Sequence, residues 1–328
     1  MKIVVLGSNS FSGAHFIARL LKEHHQVLGI SRSGENSKIF RPYSWEKSQG
    51  HFLFLQADMN KNHPTIIKEI KRFDPEVIIN FAAQSMVAES WNFPQHWYQT
   101  NLVALSLFID EIINLPRLIR YIHVTTPEVY GSTHDWIAEH SHFAPSTPYA
   151  VSRAAADMHL AVMHHSRNLP VIFTRTANIY GPGQPLYRIV PKTILSALLD
   201  RKLYLDGGGT SKRSFIHIHD ASEATLKIVT AGEIGSTYHI STNEVISIRD
   251  LVRKIYEKVK GNFEENVTIT EDRVGKDSGY FLRSTKIRQE LNWEPKVNLD
   301  FGLEQTIEWV GNNLKELSLL PVNYRHKA

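Results

Sequence analysis

Strand-length apolar runs alternate with helix-like stretches through the first half of this chain. The predicted strands are Lys2–Leu6, Gln26–Ile30, Phe52–Gln56, Val77–Phe81, Tyr121–Thr125 and Val171–Thr176. The predicted helices between them are Gly13–Glu23, Thr65–Arg72, Pro94–Asn114 and Pro148–Ser166. Strands that are apolar on both faces and separated by helices predict a parallel sheet covered on both sides. Because such crossovers are right-handed, we expect an α/β fold with a Rossmann-like, doubly wound parallel sheet.

A turn-forming segment, Tyr180–Pro185, separates this alternation from a less regular second half. The elements predicted there are a helix near 190–200, a glycine turn at 207–209, a strand at Phe215–His219 and helices at Ala221–Thr230, Ile248–Lys258 and Leu303–Leu314. We predict a sheet domain made of residues 1–178 and 215–240. Residues 179–214 and 241–328 then form a smaller, interleaved C-terminal lobe, and a cleft between two lobes is a common place for a ligand.

Composition and charge argue against several classes of function. The 328 residues carry a net charge of +4 without a basic run interleaved with aromatic residues, so no nucleic-acid partner is expected. No run approaches the roughly 20 apolar residues of a membrane span, and the chain enters its first predicted strand without a signal peptide, so we expect a cytoplasmic protein. There is no cysteine, and the adjacent histidines His24–His25 and His164–His165 do not face one way on a helix, so no metal site is expected.

The turn between the first strand and the first helix has the glycine spacing of a dinucleotide site. Gly7 and Gly13 fit the outer positions of a Gly-x-x-Gly-x-x-Gly loop, and Ser10 stands at the middle position. Phe11 follows at the predicted N-terminus of the helix, where backbone amides and the helix dipole favour a pyrophosphate. An ordinary strand–helix turn is the alternative, but the place after the first strand favours a dinucleotide.

The second strand ends at Ser31 and Arg32, where an NAD site usually has an acidic residue for the ribose 2′-hydroxyl. A hydroxyl and a cation suit a 2′-phosphate better, which favours NADP over NAD; a solvated arginine is the alternative. Asp58, after the third strand, could accept a hydrogen bond from the adenine amino group. The other predicted cofactor residues are Met59, Ala82, Ala83, Gln84 and Asn101.

A tyrosine and an arginine lie four residues apart at the start of a predicted helix. Pro148 fits the first turn, with Thr147 or Ser146 as the N-cap, so Tyr149 and Arg153 share one face. A tyrosine with a pKa of about 10 is a poor base at neutral pH. A fixed cation favours the phenolate, which could then take a proton from a hydroxyl. A surface Tyr–Arg pair is the alternative.

Two polar residues at the end of the fifth predicted strand favour the chemical interpretation. Thr126 and Glu128 alternate along a segment read as extended, which would put both side chains on one side. Together with Tyr149 they offer a hydroxyl, a carboxylate and a phenol around one point.

The chain resembles the extended short-chain dehydrogenases/reductases and, within them, the nucleotide-sugar 4,6-dehydratases, especially those acting on dTDP-glucose. The similarity spans essentially the whole chain. Besides the glycine loop, it rests on the segments Ala82–Ser85, Thr126–Gly131, Tyr149–Arg153, Asn178–Pro182, Arg213–Asp220 and Asp272–Asp277 and on Tyr280, Ser284 and Lys286. The resemblance implies a redox-neutral reaction in which C4 of a hexose is oxidised, water leaves across C5 and C6, and hydride returns to C6.

The resemblance also implies a role for each residue of the chemical centre. Tyr149 would deprotonate the C4 hydroxyl, Thr126 would bind the O4 oxygen, and Glu128 would take the C5 proton. Arg153 would stand in place of the family's lysine, where it could support Tyr149, hold the nicotinamide ribose, or both. Pro127 replaces the aspartate that serves as general acid in the dTDP-glucose enzymes, so Glu128 would also have to protonate the leaving hydroxyl. The GDP-mannose dehydratases resemble this arrangement, with a non-acidic residue beside the glutamate.

The resemblance makes residues 179–214 and 241–328 the nucleotide-sugar-binding lobe, without fixing the base or the hexose. The implied substrate-binding residues are Ser85, Asn178, Arg188, Arg213, Arg273, Lys276 and Tyr280. The three arginines and the asparagine would meet the diphosphate. A homodimer through the helices predicted at Pro94–Asn114 and Pro148–Ser166 is also implied.

Other functions stay open on the sequence alone. A UDP-glucuronate decarboxylase or a nucleotide-sugar C4 epimerase is one alternative, because decarboxylases of this group also carry a glutamate before Val-Tyr-Gly. A catalytically weakened, NADP-binding sensor or scaffold is an alternative of another class, suggested by Ser10, Pro127 and Arg153.

Overall fold

The computed structural model describes residues 1–48, 50–133, 135–271 and 279–327. The strands are β1 Lys2–Leu6, β2 Gln26–Ser31, β3 His51–Gln56, β4 Val77–Asn80, β5 Arg120–Thr125, β6 Trp136–Ile137, β7 Val171–Thr176, β8 Asn178–Tyr180, β9 Leu203–Asp206, β10 Lys212–Arg213, β11 Phe215–His217, β12 Thr237–Ile240, β13 Ile246–Ser247, β14 Val267–Thr270 and β15 Phe281–Leu282. The α-helices are α1 Phe11–Lys22, α2 His63–Phe73, α3 Val87–Ser90, α4 Pro94–Tyr98, α5 Ala104–Ile112, α6 Pro148–Arg167, α7 Ile189–Leu198, α8 Ile218–Ala231, α9 Ile248–Lys258, α10 Phe263–Asn266, α11 Thr285–Leu291, α12 Leu299–Asn312 and α13 Leu314–Leu317.

Within the described residues, seven strands form one parallel sheet in the order β12-β7-β5-β4-β1-β2-β3. The chain runs outward from β1 in both directions, so the strand order reverses between β1 and β4. Ligands of such sheets bind in the crevice outside the carboxyl ends of the strands at this point. The predicted α/β, doubly wound fold is confirmed, and β12 is the strand of this sheet that the sequence analysis did not identify.

The core lies on both faces of the sheet. Alternate residues of β1 point to opposite sides: Ile3 and Val5 pack with residues of α1 and α8, whereas Val4 and Leu6 pack with residues of α2, α5 and α6. A strand buried on both faces needs apolar residues at every position, which is why the unbroken apolar runs identified the strands correctly.

The helix predicted at Pro94–Asn114 is wrong as a single α-helix. A π-helical turn, Gln99–Val103, interrupts it between α4 and α5. The wider turn carries Asn101, whose amide oxygen accepts from the Gln84 N–H at 2.8 Å and whose NH2 donates to the Gln84 carbonyl at 3.0 Å and the Ser152 hydroxyl at 2.9 Å. These three buried hydrogen bonds offset the poorer helical geometry, and π turns of this kind are frequent at functional sites.

The strand predicted at Phe215–His219 ends earlier, at His217. The His217 side chain accepts a hydrogen bond from the His219 N–H and caps α8, so the chain turns into a helix at Ile218. The smaller lobe is built from short paired strands and from a separate apolar core around α7, α9 and α12. The domain boundaries themselves stay a prediction. Among the described residues, no helix is both long and apolar enough to cross a membrane.

A buried polar network fastens α6 to the sheet. Asp157 of α6 pairs with Arg175 of β7 at 2.7 Å. Arg175 also donates to the Tyr130 hydroxyl at 2.8 Å, and that hydroxyl lies 2.9 Å from Nε2 of His239 on β12. The network therefore fixes the position of α6, whose first turn carries Tyr149, relative to β7 and β12.

Candidate active site

The glycine loop has the close backbone packing that a dinucleotide site requires. Gly7 has φ +76°, and a Cβ at this position would lie 2.6 Å from the backbone nitrogen of Ala82 in the loop after β4. A Cβ at Gly13 would lie 2.4 Å from the Gly7 carbonyl oxygen. Ser10 is the N-cap of α1, because its hydroxyl accepts from the Gly13 N–H at 3.0 Å. The loop therefore brings the N-terminus of α1, starting at Phe11, to the crevice, which fits the pyrophosphate of a dinucleotide.

The segment after β2 is linked to the glycine loop and to the end of the chain. The Ser31 hydroxyl accepts from the Asn9 N–H at 3.0 Å, and Arg32 donates from Nη1 to the Lys327 carbonyl at 3.2 Å. Asp58 accepts from the Asn60 N–H at 2.8 Å. These predicted adenosine residues thus lie at or just after the carboxyl ends of β2 and β3.

The loop after β4 completes the crevice. The Ala82 N–H donates to the Asn80 side chain at 2.9 Å. Gln84 is buried and has a partner on each side. Its backbone N–H donates to the Asn101 side chain, and its side-chain amide donates to the Lys327 carbonyl at 2.7 Å. The other two predicted cofactor residues of this edge are Met59, which packs beside the core under the sheet, and Ala83, which is half-buried.

The sequence analysis missed the C-terminal segment Tyr324–Lys327. Lys327 contacts two predicted cofactor residues, as described above, and the ring of His326 stacks on Trp97 at 5.0 Å between ring centroids. Tyr324 packs edge-on against Tyr187 at 5.3 Å. The segment carries no periodic apolar pattern; its only local signal is two rings in an otherwise polar stretch.

The segment that carries Thr126 and Glu128 is a helical turn, not an extended one. Residues Pro127–Tyr130 form a 3₁₀-helix with Thr126 as N-cap, whose hydroxyl accepts from the Glu128 N–H at 3.2 Å. Pro127 occupies the first position, where its fixed φ and missing N–H are favourable. The alternation argument for these two side chains is therefore wrong, although both approach Tyr149.

Tyr149 is the buried centre of the site, with 8% of its surface exposed. The N-cap of its helix is Thr147, whose hydroxyl accepts from the Ala150 N–H at 3.1 Å, one of the two predicted caps. Burial and the nearby Glu128 carboxylate raise the pKa of Tyr149 above its ordinary value. Three effects oppose this rise in the pKa: the charge of Arg153, a hydrogen bond with Thr126 and the charge of Arg188.

The four predicted catalytic residues thus meet around one phenol. Arg153 lowers the pKa of Tyr149, as predicted, but burial and the Glu128 charge outweigh it, so the net shift of that pKa is upward. The Arg153 guanidinium is 2% exposed and is directed at β5, where it donates to Nε2 of His123 at 3.2 Å and to the Val124 carbonyl.

Three predicted substrate residues form a second cluster beside the crevice. The Tyr280 hydroxyl donates to the Asn178 amide oxygen at 2.9 Å, and the Arg213 guanidinium lies over the Tyr280 ring, 4.7 Å from its centroid. Arg188 is exposed at the start of α7, close enough to influence Tyr149. Ser85 is exposed after β4.

The predicted residues Arg273 and Lys276 lie outside the described residues. In the part of the chain that the structure describes, no group of three or more His, Cys, Asp or Glu side chains has the geometry to hold a metal ion.

A family model described as GDP-mannose 4,6 dehydratase matches residues 4–306. The chain therefore belongs to the GDP-mannose 4,6-dehydratase family of nucleotide-sugar enzymes, as the fold, the glycine loop and the Thr126–Glu128–Tyr149 cluster together indicate.

Curated relatives match nearly the whole chain. It is 28% identical over 323 residues to the dTDP-D-glucose 4,6-dehydratase of Mus musculus, covering 95% of this chain and 89% of that protein. It is 26% identical over 328 residues to the dTDP-glucose 4,6-dehydratase of Xanthomonas campestris pv. campestris, covering 94% and 93%. A trifunctional enzyme of Arabidopsis thaliana that includes a UDP-glucose 4,6-dehydratase is 28% identical, but this chain spans about half of its length, 47%.

Solved structures agree with these relatives. The dTDP-glucose 4,6-dehydratase DesIV from Streptomyces venezuelae, with NAD bound, superposes with a TM-score of 0.87 at 27% identity, covering 96% of this chain and 98% of that one. The dTDP-glucose 4,6-dehydratase of Bacillus anthracis, in complex with NAD, gives a TM-score of 0.85 at 28% identity, with coverages of 96% and 98%. Both neighbours hold NAD on the fold that this chain adopts.

The loop packing predicts opposite effects of alanine at two glycines. Gly7→Ala should lower the free energy of unfolding by about 1–3 kcal/mol from the left-handed backbone alone, and by more because the new Cβ meets backbone in the next loop. Gly311→Ala is the matched control: this glycine is exposed on α12 with nothing within 4 Å of a Cβ, so alanine should add up to about 1 kcal/mol. Urea unfolding measures both, and equal stability of Gly7→Ala and wild type would contradict the loop packing.

Proposed function

We propose that this protein is a nucleotide-sugar 4,6-dehydratase that converts a dTDP-glucose-like NDP-hexose to the NDP-4-keto-6-deoxyhexose. The observation that carries the proposal is the Glu128 carboxylate beside the phenol of Tyr149, near enough to raise the pKa of that phenol. Oxidation of a hydroxyl needs one base. A second acid–base group next to it is what elimination of water from the neighbouring carbons requires.

The residues of the glycine loop and of the edge after β4 would hold a nicotinamide dinucleotide. When bound, it supplies the acceptor for hydride from C4 and the donor of hydride to C6. Tyr149 then takes the proton of the C4 hydroxyl, and the Thr126 hydroxyl binds the O4 oxygen. The positive charges of Arg153 and Arg188 favour the phenolate against the burial that disfavours it.

Glu128 carries the elimination. The 4-keto group acidifies the C5 proton, and the carboxylate removes it; the same proton then goes to the C6 hydroxyl, which leaves as water. Hydride returned to C6 would reverse the redox change at C4, C5 would take up a proton, and Tyr149 would give up through solvent the proton it took from O4. The sugar then loses only water, and the nicotinamide would end in its starting oxidation state. Pro127 has no proton to donate, and its position at the start of a 3₁₀-helix fits a role in directing Glu128.

The diphosphate would bind at the cluster of Asn178, Arg213 and Tyr280, with Arg188 at its border. Arginine suits this role because its donors match phosphate oxygens in pairs. Arg273 and Lys276 are proposed for the same lobe on the resemblance of their segment to the family. A UDP-glucuronate decarboxylase or C4 epimerase needs Tyr149 in the same way, and the chemical test below separates these activities from dehydration.

The test is incubation with dTDP-glucose, GDP-mannose, UDP-GlcNAc, CDP-glucose and UDP-glucuronate, followed by mass spectrometry. A product lighter by one water from one of the first four, with a 4-keto absorbance in alkali, supports the proposal. Carbon dioxide from UDP-glucuronate would replace it with a decarboxylase. Cofactor binding without any change of mass would favour a sensor or scaffold protein.

Glu128→Gln separates the two halves of the reaction. The amide cannot take the C5 proton, so we expect water loss to fall by about 10²–10⁴-fold, while C4 oxidation continues and 4-keto hexose that has kept its C6 hydroxyl is formed. Mass spectrometry of the sugar distinguishes the two products. Glu308→Gln, at an exposed position of α12, is the control and should match the wild type. Full dehydration by Glu128→Gln would show that another group is the base.

Ser31 and Arg32 lead us to propose NADP as the preferred cofactor, with NAD as the alternative that the solved relatives hold. The affinities for NADP⁺ and NAD⁺ are measured by calorimetry on wild type and Arg32→Ala. A guanidinium paired with the 2′-phosphate predicts that Arg32→Ala weakens NADP⁺ by about 10-fold or more, as expected for a lost charged hydrogen bond, and leaves NAD⁺ nearly unchanged. Tighter NAD⁺ binding by wild type would overturn the preference.

We also propose a homodimer through an apolar face on α5 and α6. The exposed apolar side chains are Leu107 on α5, Val151, Met158 and Val162 on α6, and Val103 at the end of the π-helical turn before α5. A paired Met158→Glu/Val162→Glu variant should sediment as a monomer, because it would bury unpaired charge in the interface. The control is Tyr204→Glu, at an equally exposed position of the other lobe, which should leave the dimer intact; a monomeric wild type would contradict the proposal.

A further inference from the structure

The guanidinium of Arg153 is anchored inside the protein by two acceptors of one strand. Its Nη2 donates to Nε2 of His123 at 3.2 Å and to the carbonyl of Val124. Arg153 is 2% exposed and His123 is fully buried. The direction of the side chain is thus fixed by β5, the strand that leads to Thr126.

His123 accepts this hydrogen bond as a neutral ring. Burial and the charges of Arg153 and Arg175 lower the pKa of His123 well below its usual value. A guanidinium can only donate, so the Nε2 that faces it must be the acceptor nitrogen and the proton belongs on Nδ1. The imidazole therefore binds the guanidinium without cancelling its charge, which a carboxylate at the same place would do.

The buried charges around His123 do not balance. Asp157 pairs with Arg175 at 2.7 Å, and its other oxygen lies 3.6 Å from Nε2 of His123. With His123 neutral, Arg153, Arg175 and Asp157 together carry one net positive charge. Arg153 is the member of this set that acts on Tyr149, one turn nearer the start of α6, where the positive charge of Arg153 opposes the rise in the pKa of the phenol that burial and Glu128 cause.

We propose that His123 is a positioning residue: with the Val124 carbonyl it holds the Arg153 guanidinium against β5 as a fixed positive charge for the Tyr149 phenolate, in the place where the family has a lysine. This inference rests on the proposed function for its catalytic meaning, whereas the anchoring of Arg153 rests on its contacts with His123 and Val124. The role is electrostatic and does not require Arg153 to hold the nicotinamide ribose.

The experiment measures the titration of Tyr149 directly. Full-length protein labelled with ¹³Cζ-tyrosine is titrated by NMR, and the Tyr149 signal is assigned by its loss in Tyr149→Phe. His123→Leu removes the acceptor, so the Tyr149 midpoint should rise by about one pH unit, a size typical of the loss of one well-placed charge. His123→Gln keeps an acceptor oxygen and should restore the wild-type midpoint.

His239→Leu is the matched control. His239 is also fully buried and belongs to the same network, but it bonds to Tyr130 and not to Arg153. This variant should lose stability and leave the Tyr149 midpoint unchanged. A second route uses Arg153→Met, which should raise the midpoint at least as far as His123→Leu, and the double variant should add nothing further if the two residues act as one unit.

An unchanged midpoint in His123→Leu, or an equal rise in His123→Gln, would overturn the proposal. If His123→Leu does not fold, Arg153→Met provides the test, and an unchanged Tyr149 midpoint in that variant would also overturn the proposal. In turnover, the rising limb of kcat/KM against pH should move with the NMR midpoint. A wild type that dehydrates no sugar nucleotide would refute the proposed function while the NMR titration still tests the role of His123.

Discussion

The ion pair between Asp157 and Arg175 is the interaction on which the geometry of the site depends. It joins α6 to β7 in the interior, and Arg175 reaches on to the Tyr130 hydroxyl at the end of the 3₁₀-helix that carries Glu128. Removing one partner of a buried pair typically costs about 3–5 kcal/mol, because the other charge is left uncompensated. One network therefore sets the distance between the helix with the phenol and the turn with the carboxylate.

A second set of contacts holds the cofactor side of the crevice. The π-helical turn presents Asn101 to both the Gln84 backbone and Ser152 of α6, so the loop after β4 and the tyrosine helix are fixed to each other. The same loop approaches the glycine turn so closely that Gly7 can carry no side chain. The predicted cofactor residues Gly7, Gln84 and Asn101 are thus held by close packing and by hydrogen bonds between these elements, an arrangement that favours precise geometry.

Electrostatics at the centre of the site are a balance of opposing effects. Burial and Glu128 raise the pKa of Tyr149, and Arg153, Arg188 and the Thr126 hydrogen bond lower it. The carboxylate needed for elimination works against the phenolate needed for oxidation. Under our proposal, the fixed positive charge of Arg153 offsets part of that conflict, and this would allow arginine to act where the family has a lysine.

The sequence by itself determined the parallel sheet, the glycine turn and an N-cap at Ser146 or Thr147 for the helix that carries Tyr149. These features follow from local periodicity, capping and the steric demands of glycine, which neighbouring residues carry. Only the tertiary structure decided the π turn around Asn101, the helical turn after Thr126, the contact of Lys327 with Arg32 and Gln84, and the direction of Arg153 toward His123. Each of these features depends on a contact between residues far apart in the sequence, or on whether a segment forms a turn or a strand. A local sequence pattern does not show which of these outcomes has the lower free energy.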